Sequence, residues 1–220
     1  MGKSFLSSAA IAAMLLGVTP AAAQDAFTMP NFSQFYVSVF AGAAFVDDFD
    51  APAPVVPGFE FQFDFDSGYT LGIAVGTQIM PNLRGEVEYS YSESDVDSVT
   101  IQPAGTSGIG PLGDIEVQMV LFNLWYDIEI SSPIKPYIGG GIGYGHVEYN
   151  LPNAPIKLSD DGFAFQLGAG ARWSFTDNMA LDVSYRYKFL DSVNILTVNF
   201  DDEDLESHNI QAAIVIQLGN

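Results

Sequence analysis

The stretch Asp161-Gly162-Phe163-Ala164-Phe165-Gln166-Leu167-Gly168-Ala169-Gly170-Ala171-Arg172-Trp173-Ser174-Phe175 decides the fold. Its apolar residues recur at every second position, with Phe163, Phe165, Leu167, Ala169, Ala171 and Trp173 on one face and Ala164, Gln166, Gly168, Gly170 and Arg172 on the other. A period of two belongs to a β-strand, because successive side chains leave an extended backbone on opposite sides. The segment is also longer than the five or six residues usual for a soluble strand, and suits the roughly ten residues of a tilted strand that crosses a bilayer.

Seven more segments carry the same alternation, giving eight: Phe35 to Val46, Gly68 to Ile79, Leu83 to Asp97, Ile115 to Ile130, Pro136 to Tyr149, Met179 to Leu190 and Leu205 to Leu218 join the first. The links between them alternate in length. Met80-Pro81-Asn82, Ser131 to Lys135 and Thr176-Asp177-Asn178 are short turns, whereas Asp47 to Ser67, Ser98 to Asp114, Asn150 to Asp160 and Asp191 to Asp204 read as long polar or Pro/Gly-rich loops. Short turns on one rim and long loops on the other describe an all-β, transmembrane, antiparallel eight-stranded up-and-down barrel. Many aromatics, among them Tyr36, Tyr69, Tyr89, Trp125, Tyr126, Tyr137 and Trp173, fall toward strand ends and are expected to form belts at the headgroup level.

Ahead of the first strand, Lys3 precedes an apolar run from Ala9 to Val18, then Pro20 and Ala21-Ala22-Ala23 before Gln24. Residues 1–23 therefore read as a signal peptide, 24–34 as a short periplasmic segment and 35–220 as the barrel. No later stretch approaches the eighteen apolar residues of a membrane-spanning helix. The chain has no cysteine, so a disulfide framework is excluded. Its formal charge of -20, with only Arg84, Lys135, Lys157, Arg172, Arg186 and Lys188 as cations after the leader, excludes a phosphate-backbone partner such as nucleic acid. A hydrophobic share of 48% beside that acidity fits a barrel with an apolar outside and polar loops.

Arg84, Glu86, Glu88, Arg172, Asp182, Arg186 and Lys188 lie on the faces opposite the apolar stripes and are expected in the lumen. An eight-stranded barrel is just wide enough to be filled by side chains, so these charges should pair into a plug; a narrow charge-lined pore is the alternative. Other motifs are weaker. Gly108-x-Gly110-x-x-Gly113 matches a dinucleotide fingerprint formally, but Pro111 and a β-segment follow where a helix is required. His146 and His208 are the only histidines, and Ser207 and His208, as neighbours in a strand, point to opposite faces and cannot meet as nucleophile and base. Asp47, Asp48, Asp50, Asp64 and Asp66, and Asp201 to Asp204, lack calcium-loop spacing. No catalytic residue, metal or cofactor is expected.

Three motifs in order, Lys135-Pro136-Tyr137-Ile138-Gly139-Gly140-Gly141-Ile142-Gly143-Tyr144, Phe163 to Ala171 and Leu181-Asp182-Val183-Ser184-Tyr185-Arg186-Tyr187, resemble the outer-membrane β-barrel family of bacterial surface antigens. That family is similar in architecture to the membrane domain of outer-membrane protein A and is also grouped as porin family. The resemblance implies a small barrel exposed at the cell surface, in contact with outer-membrane lipid and lipopolysaccharide and folded by the barrel-assembly machinery. It implies a structural, adhesive or host-contact role through acidic extracellular loops, with a small-solute channel or a lipid-modifying enzyme as alternatives. The chain closes on Ile216-Gln217-Leu218-Gly219-Asn220, without the terminal aromatic usual in such families.

Overall fold

The computed structural model describes residues 35–52, 60–102, 106–109, 113–150, 157–191 and 204–218; the expected signal peptide and periplasmic segment lie outside them. The strands are β1 (Phe35–Val46), β2 (Phe49–Pro52), β3 (Glu60–Phe65), β4 (Gly68–Met80), β5 (Leu83–Gln102), β6 (Thr106–Ile109), β7 (Asp114–Asp127), β8 (Ile134–Asn150), β9 (Lys157–Ser174), β10 (Met179–Leu190) and β11 (Leu205–Leu218). Eight long strands, β1, β4, β5, β7, β8, β9, β10 and β11, pair antiparallel in a ring. The ring closes where β1 meets β11, in register from Phe35 with Leu218 to Val46 with Ser207. Closure leaves no barrel strand with an unpaired edge, which is what a sheet in hydrocarbon needs, because nothing there can hydrogen-bond a free N–H or C=O.

The alternation is inside out relative to a soluble protein. Val39, Leu71, Val87, Phe122, Ile142 and Leu167 face outward and are exposed, while Ser38, Glu88, Asn123, Gln166, Asp182 and Gln211 face inward and are buried. The short links are of the expected kind. Between β4 and β5, Pro81 and Asn82 form the turn, with Asn82 in the left-handed region at φ 66, where a short amide side chain is tolerated better than most.

Two expectations are corrected. The segments from Asp47 to Ser67 and from Ser98 to Asp114 are not wholly loop: they contain β2, β3 and β6, and β5 runs on to Gln102. Past its last pair with β7, Asp95 with Asp114, β5 takes β3 on one side and β6 on the other, and β2 lies outside β3. The residues responsible, such as Glu60-Phe61-Gln62-Phe63 and Ser98-Val99-Thr100-Ile101, alternate as the barrel strands do, over a run too short to stand out from loop. The second correction concerns the aromatic belts. Tyr69, Tyr89, Tyr126, Tyr144 and Trp173 are exposed on the outside, but Tyr36, Trp125 and Tyr137 turn inward and are buried.

Candidate functional site in the barrel lumen

All seven charged residues singled out above lie on the inward face, and six are almost fully buried; Arg172 is the most open, with its side chain 14% exposed. With Asp127 at the end of β7, four cations face four carboxylates. They form two connected groups. Nearer the short turns, Arg84 Nε is 2.9 Å from Asp127 Oδ2, and its Nη1 donates to Tyr36 Oη at 3.0 Å. Tyr36 in turn donates to Glu86 Oε2 at 2.8 Å, and Trp125 Nε1 donates to Glu86 Oε1 at 3.2 Å. Beside them Asp182 accepts from Tyr137 Oη at 2.7 Å and from Arg172 Nε at 3.0 Å. Arg186 donates to Tyr137 Oη at 3.0 Å and lays its guanidinium over the Trp125 ring, 3.7 Å from the centroid.

The second group lies at mid-barrel. Glu88 on β5 accepts from Lys188 Nζ of β10 at 3.1 Å, from Asn123 Nδ2 at 2.9 Å and from Gln166 Nε2 at 3.0 Å. Lys188 also donates to Ser90 Oγ at 2.8 Å, and Gln166 to Asn123 Oδ1 at 2.7 Å. β5 and β10 are not neighbours in the ring, so the Glu88–Lys188 pair is a strut across the lumen. Buried charges cost several kcal/mol each in lost hydration, and such a pair persists only where further hydrogen bonds occupy the remaining donors and acceptors. Asn123, Gln166 and Ser90 supply them.

Space for these side chains comes from glycines on the facing strands. A Cβ at Gly76 would overlap the Tyr36 ring, one at Gly72 the Phe40 ring, and one at Gly170 the Tyr137 ring. The aromatic rings thus lie flat against bare backbone.

Beyond Lys188, toward the long loops, the lumen turns apolar on β7, β8 and β10, while Thr70 on β4 and Ser92 and Ser94 on β5 keep the other wall polar. Ile115, Val117, Leu121, Val147, Leu190 and Leu205 form a buried cluster, with Val46 and Phe65 packed against it. Between this layer and the strut is one small cavity lined by Ser90, Ser92, Val117, Met119, Lys188 and Ser207, among others. From the short-turn end upward, the lumen therefore holds a charged layer, a polar strut and an apolar stopper.

A closed eight-stranded ring with apolar residues outside and a charge-balanced interior is now joined by a family match: residues 8–217 fit the model described as the outer membrane protein beta-barrel domain. The chain belongs to that family. This outer-membrane barrel is 26% identical over 171 residues to an uncharacterized protein of Brucella suis, an alignment that covers 67% of this chain and 60% of the relative. It is 31% identical over 81 residues to outer membrane protein PagN of Salmonella typhimurium, covering 33% of this chain and 34% of PagN. Among solved structures, Neisserial surface protein A matches with a TM-score of 0.58 at 20% identity, covering 83% of this chain and 96% of that one. Outer membrane protein OprG of Pseudomonas aeruginosa matches with 0.56 at 15% identity, covering 84% and 97%. These last two are likenesses of fold. The outer-membrane barrel resides in the bacterial outer membrane, among its lipids, and barrels of that membrane keep short turns periplasmic and long loops outside the cell.

Apart from Ser207, which lines the cavity beside Lys188, the outer-membrane barrel carries its remaining motifs away from the lumen network. His208 points outward, hydrogen-bonded through Nδ1 to Tyr185 Oη, with Nε2 3.4 Å from Asp47 Oδ2. Ser207 lies on the other face, where it accepts from Asn209 Nδ2 at 3.2 Å. His146, also outward, sits 2.8 Å from Asp161 across the β8–β9 pair. Gly108 lies in β6 and Gly113 precedes β7, so a strand follows where the dinucleotide fingerprint requires a helix. Asp47 and Asp48 border β1, Asp50 lies in β2, and Asp64 and Asp66 lie in and just after β3; the expected acidic run 201–204 is described only at Asp204. No group of three or more His, Cys, Asp or Glu side chains suited to a metal ion occurs among the described residues.

Sequence reasoning missed Asp127, the neutral half of the network and the stopper. Asn123 and Gln166 were visible as polar residues flanked by apolar ones, Phe122 and Leu124 in β7 and Phe165 and Leu167 in β9. The stopper left a signal too: β7 is apolar at four successive positions, Met119-Val120-Leu121-Phe122, and so on both faces there, a pattern of strands covered on both sides.

Proposed function

We propose that this barrel is a closed, non-conducting surface protein of the outer membrane, whose role lies in contacts made by its long-loop end. The observation that supports this reading is the filled lumen: the Glu88–Lys188 strut crosses it, and the apolar layer around Val117, Leu121 and Leu190 stands above. An ion entering from the short-turn end would meet paired charges and then a packed layer that is apolar on β7, β8 and β10, and a constriction with an apolar wall opposes conduction. No catalytic step is assigned to it. Assembly by the barrel-assembly machinery belongs to the same reading, as do contacts with host or other surface ligands and with lipopolysaccharide through divalent cations.

Purified protein whose folded state is verified by heat-modifiable migration should leave a planar bilayer silent. The variant Arg186→Glu should not create a selective current. Steady conductance from the parent protein that changes with that charge reversal would establish the pore instead.

A further inference from the structure

The barrel has no open edge, but the small sheet built on the end of β5 has two. In the order β2-β3-β5-β6, the outer strands are β2 and β6, and among the described residues neither has a second partner. The two edges differ in chemistry. β2 contains Asp50 and ends at Pro52, which has no N–H to donate; charge and proline are how native sheets blunt an exposed edge. β6 reads Thr106-Ser107-Gly108-Ile109, without charge or proline, so among the described residues its outer edge keeps main-chain donors and acceptors that no strand pairs.

The electric field around that edge has one sign. Of the six Lys and Arg residues after the leader, Arg84, Arg172, Arg186 and Lys188 are held inside the barrel and Lys135 opens β8 at the short-turn end, which leaves Lys157 as the one cation of the long-loop end. Against it stand Glu60 and Asp64 in β3 and Asp95, Asp97 and Asp114 at the base of the sheet. Like charges even face each other across the strand pairs: Glu93 is in register with Glu116, and Asp95 with Asp114. Asn150 donates to both Asp114 and Glu116, and Tyr69 and Tyr91 donate to Glu93, but these neutral donors leave the negative charge in place, and a cation is attracted to it.

We propose that the β6 edge is a docking strand for an extended cationic peptide segment, which adds to the sheet by main-chain hydrogen bonding while the acidic field selects for lysine and arginine. This rests on the reading of the long-loop end as a contact surface and names the chemistry of its partner. Strand addition draws affinity from the backbone and selectivity from side chains, so a partner with alternating basic and β-branched residues fits both features.

The test uses the full folded barrel in lipid nanodiscs and an eight-residue alternating Lys–Val peptide with carbonyl isotope labels. Saturable binding is expected, weakened by salt, with the labelled amide band moving to a β-sheet position. An alternating Glu–Val peptide should not bind, and a Lys–Val peptide N-methylated at every residue, which keeps its charge but loses its donors, should bind at least about tenfold more weakly. Successive residues of a strand send their N–H groups to opposite edges, so either Ser107→Pro or Gly108→Pro removes a donor from the open edge, and at least one of them should lose binding while the barrel still migrates as folded. Equal binding of the N-methylated peptide, undiminished binding by both proline variants, absence of binding, or dimerisation through β6 in place of peptide capture would each overturn the proposal. A silent bilayer with no peptide capture refutes the docking strand alone, whereas steady conductance refutes the closed-barrel reading.

Discussion

Replacing Lys188 by methionine should lower the unfolding free energy of the barrel by about 3–5 kcal/mol, the usual cost of stranding one partner of a buried ion pair. Glu88 is 1% exposed and would keep its bonds from Asn123 and Gln166, but it would lose the one cation that bonds it directly across the lumen, leaving only the more distant charge of Arg186. The double variant Glu88→Gln/Lys188→Met should recover most of the loss, because a neutral amide leaves no uncompensated charge while its oxygen still accepts from Asn123 and Gln166, and replacing a whole buried pair is often close to neutral. Urea unfolding in detergent or lipid, followed by tryptophan fluorescence, measures both. If the single variant costs less than about 1 kcal/mol, as exposed pairs do, Glu88 and Lys188 are hydrated and the lumen is not closed at that level.

Gly76→Ala is expected to cost on the order of 3 kcal/mol or to prevent assembly. The added methyl would occupy the place of the Tyr36 ring, and that ring cannot slide aside freely, since its hydroxyl donates to Glu86 and accepts from Arg84. Displacing it breaks hydrogen bonds to two buried charged groups in addition to the packing. Gly85→Ala is the control. It faces outward, its Cβ would meet nothing nearer than 3.6 Å, and alanine there should leave stability unchanged within about 0.5 kcal/mol. The heat-modifiable fraction after refolding, compared between the two variants, separates a specific ring-on-glycine contact from a general intolerance of substitution in these strands.

The faces of the strands were legible because alternation is a local property. Arg84, Glu86 and Glu88 sit two residues apart in one strand and must share a face; Arg172 and Asp182 are placed the same way against their own apolar neighbours. The aromatic belts were less legible. Tyr36 and Trp125 sit near strand ends, as belt residues do, and a position near a strand end does not say which side of the wall a ring takes. Their inward turn follows from parity, counted from Val37 and Val39 or from Phe122 and Leu124 on the outer face.

By itself the sequence determined the number of long strands, which face of each meets lipid, seven of the charges that face the lumen though not Asp127, and the absence of a disulfide framework. Each of these depends on residue type and on spacing within one strand. Only the tertiary structure decided which charge meets which: Glu88 and Lys188 lie on opposite walls, and the ring's diameter and the stagger of its strands set whether they meet. It also decided that an apolar cluster from β7, β8 and β10 stands above the strut, and that the first two long connections build an open sheet on β5. Those outcomes depend on register between segments distant in the chain, and register is fixed by closure of the whole ring.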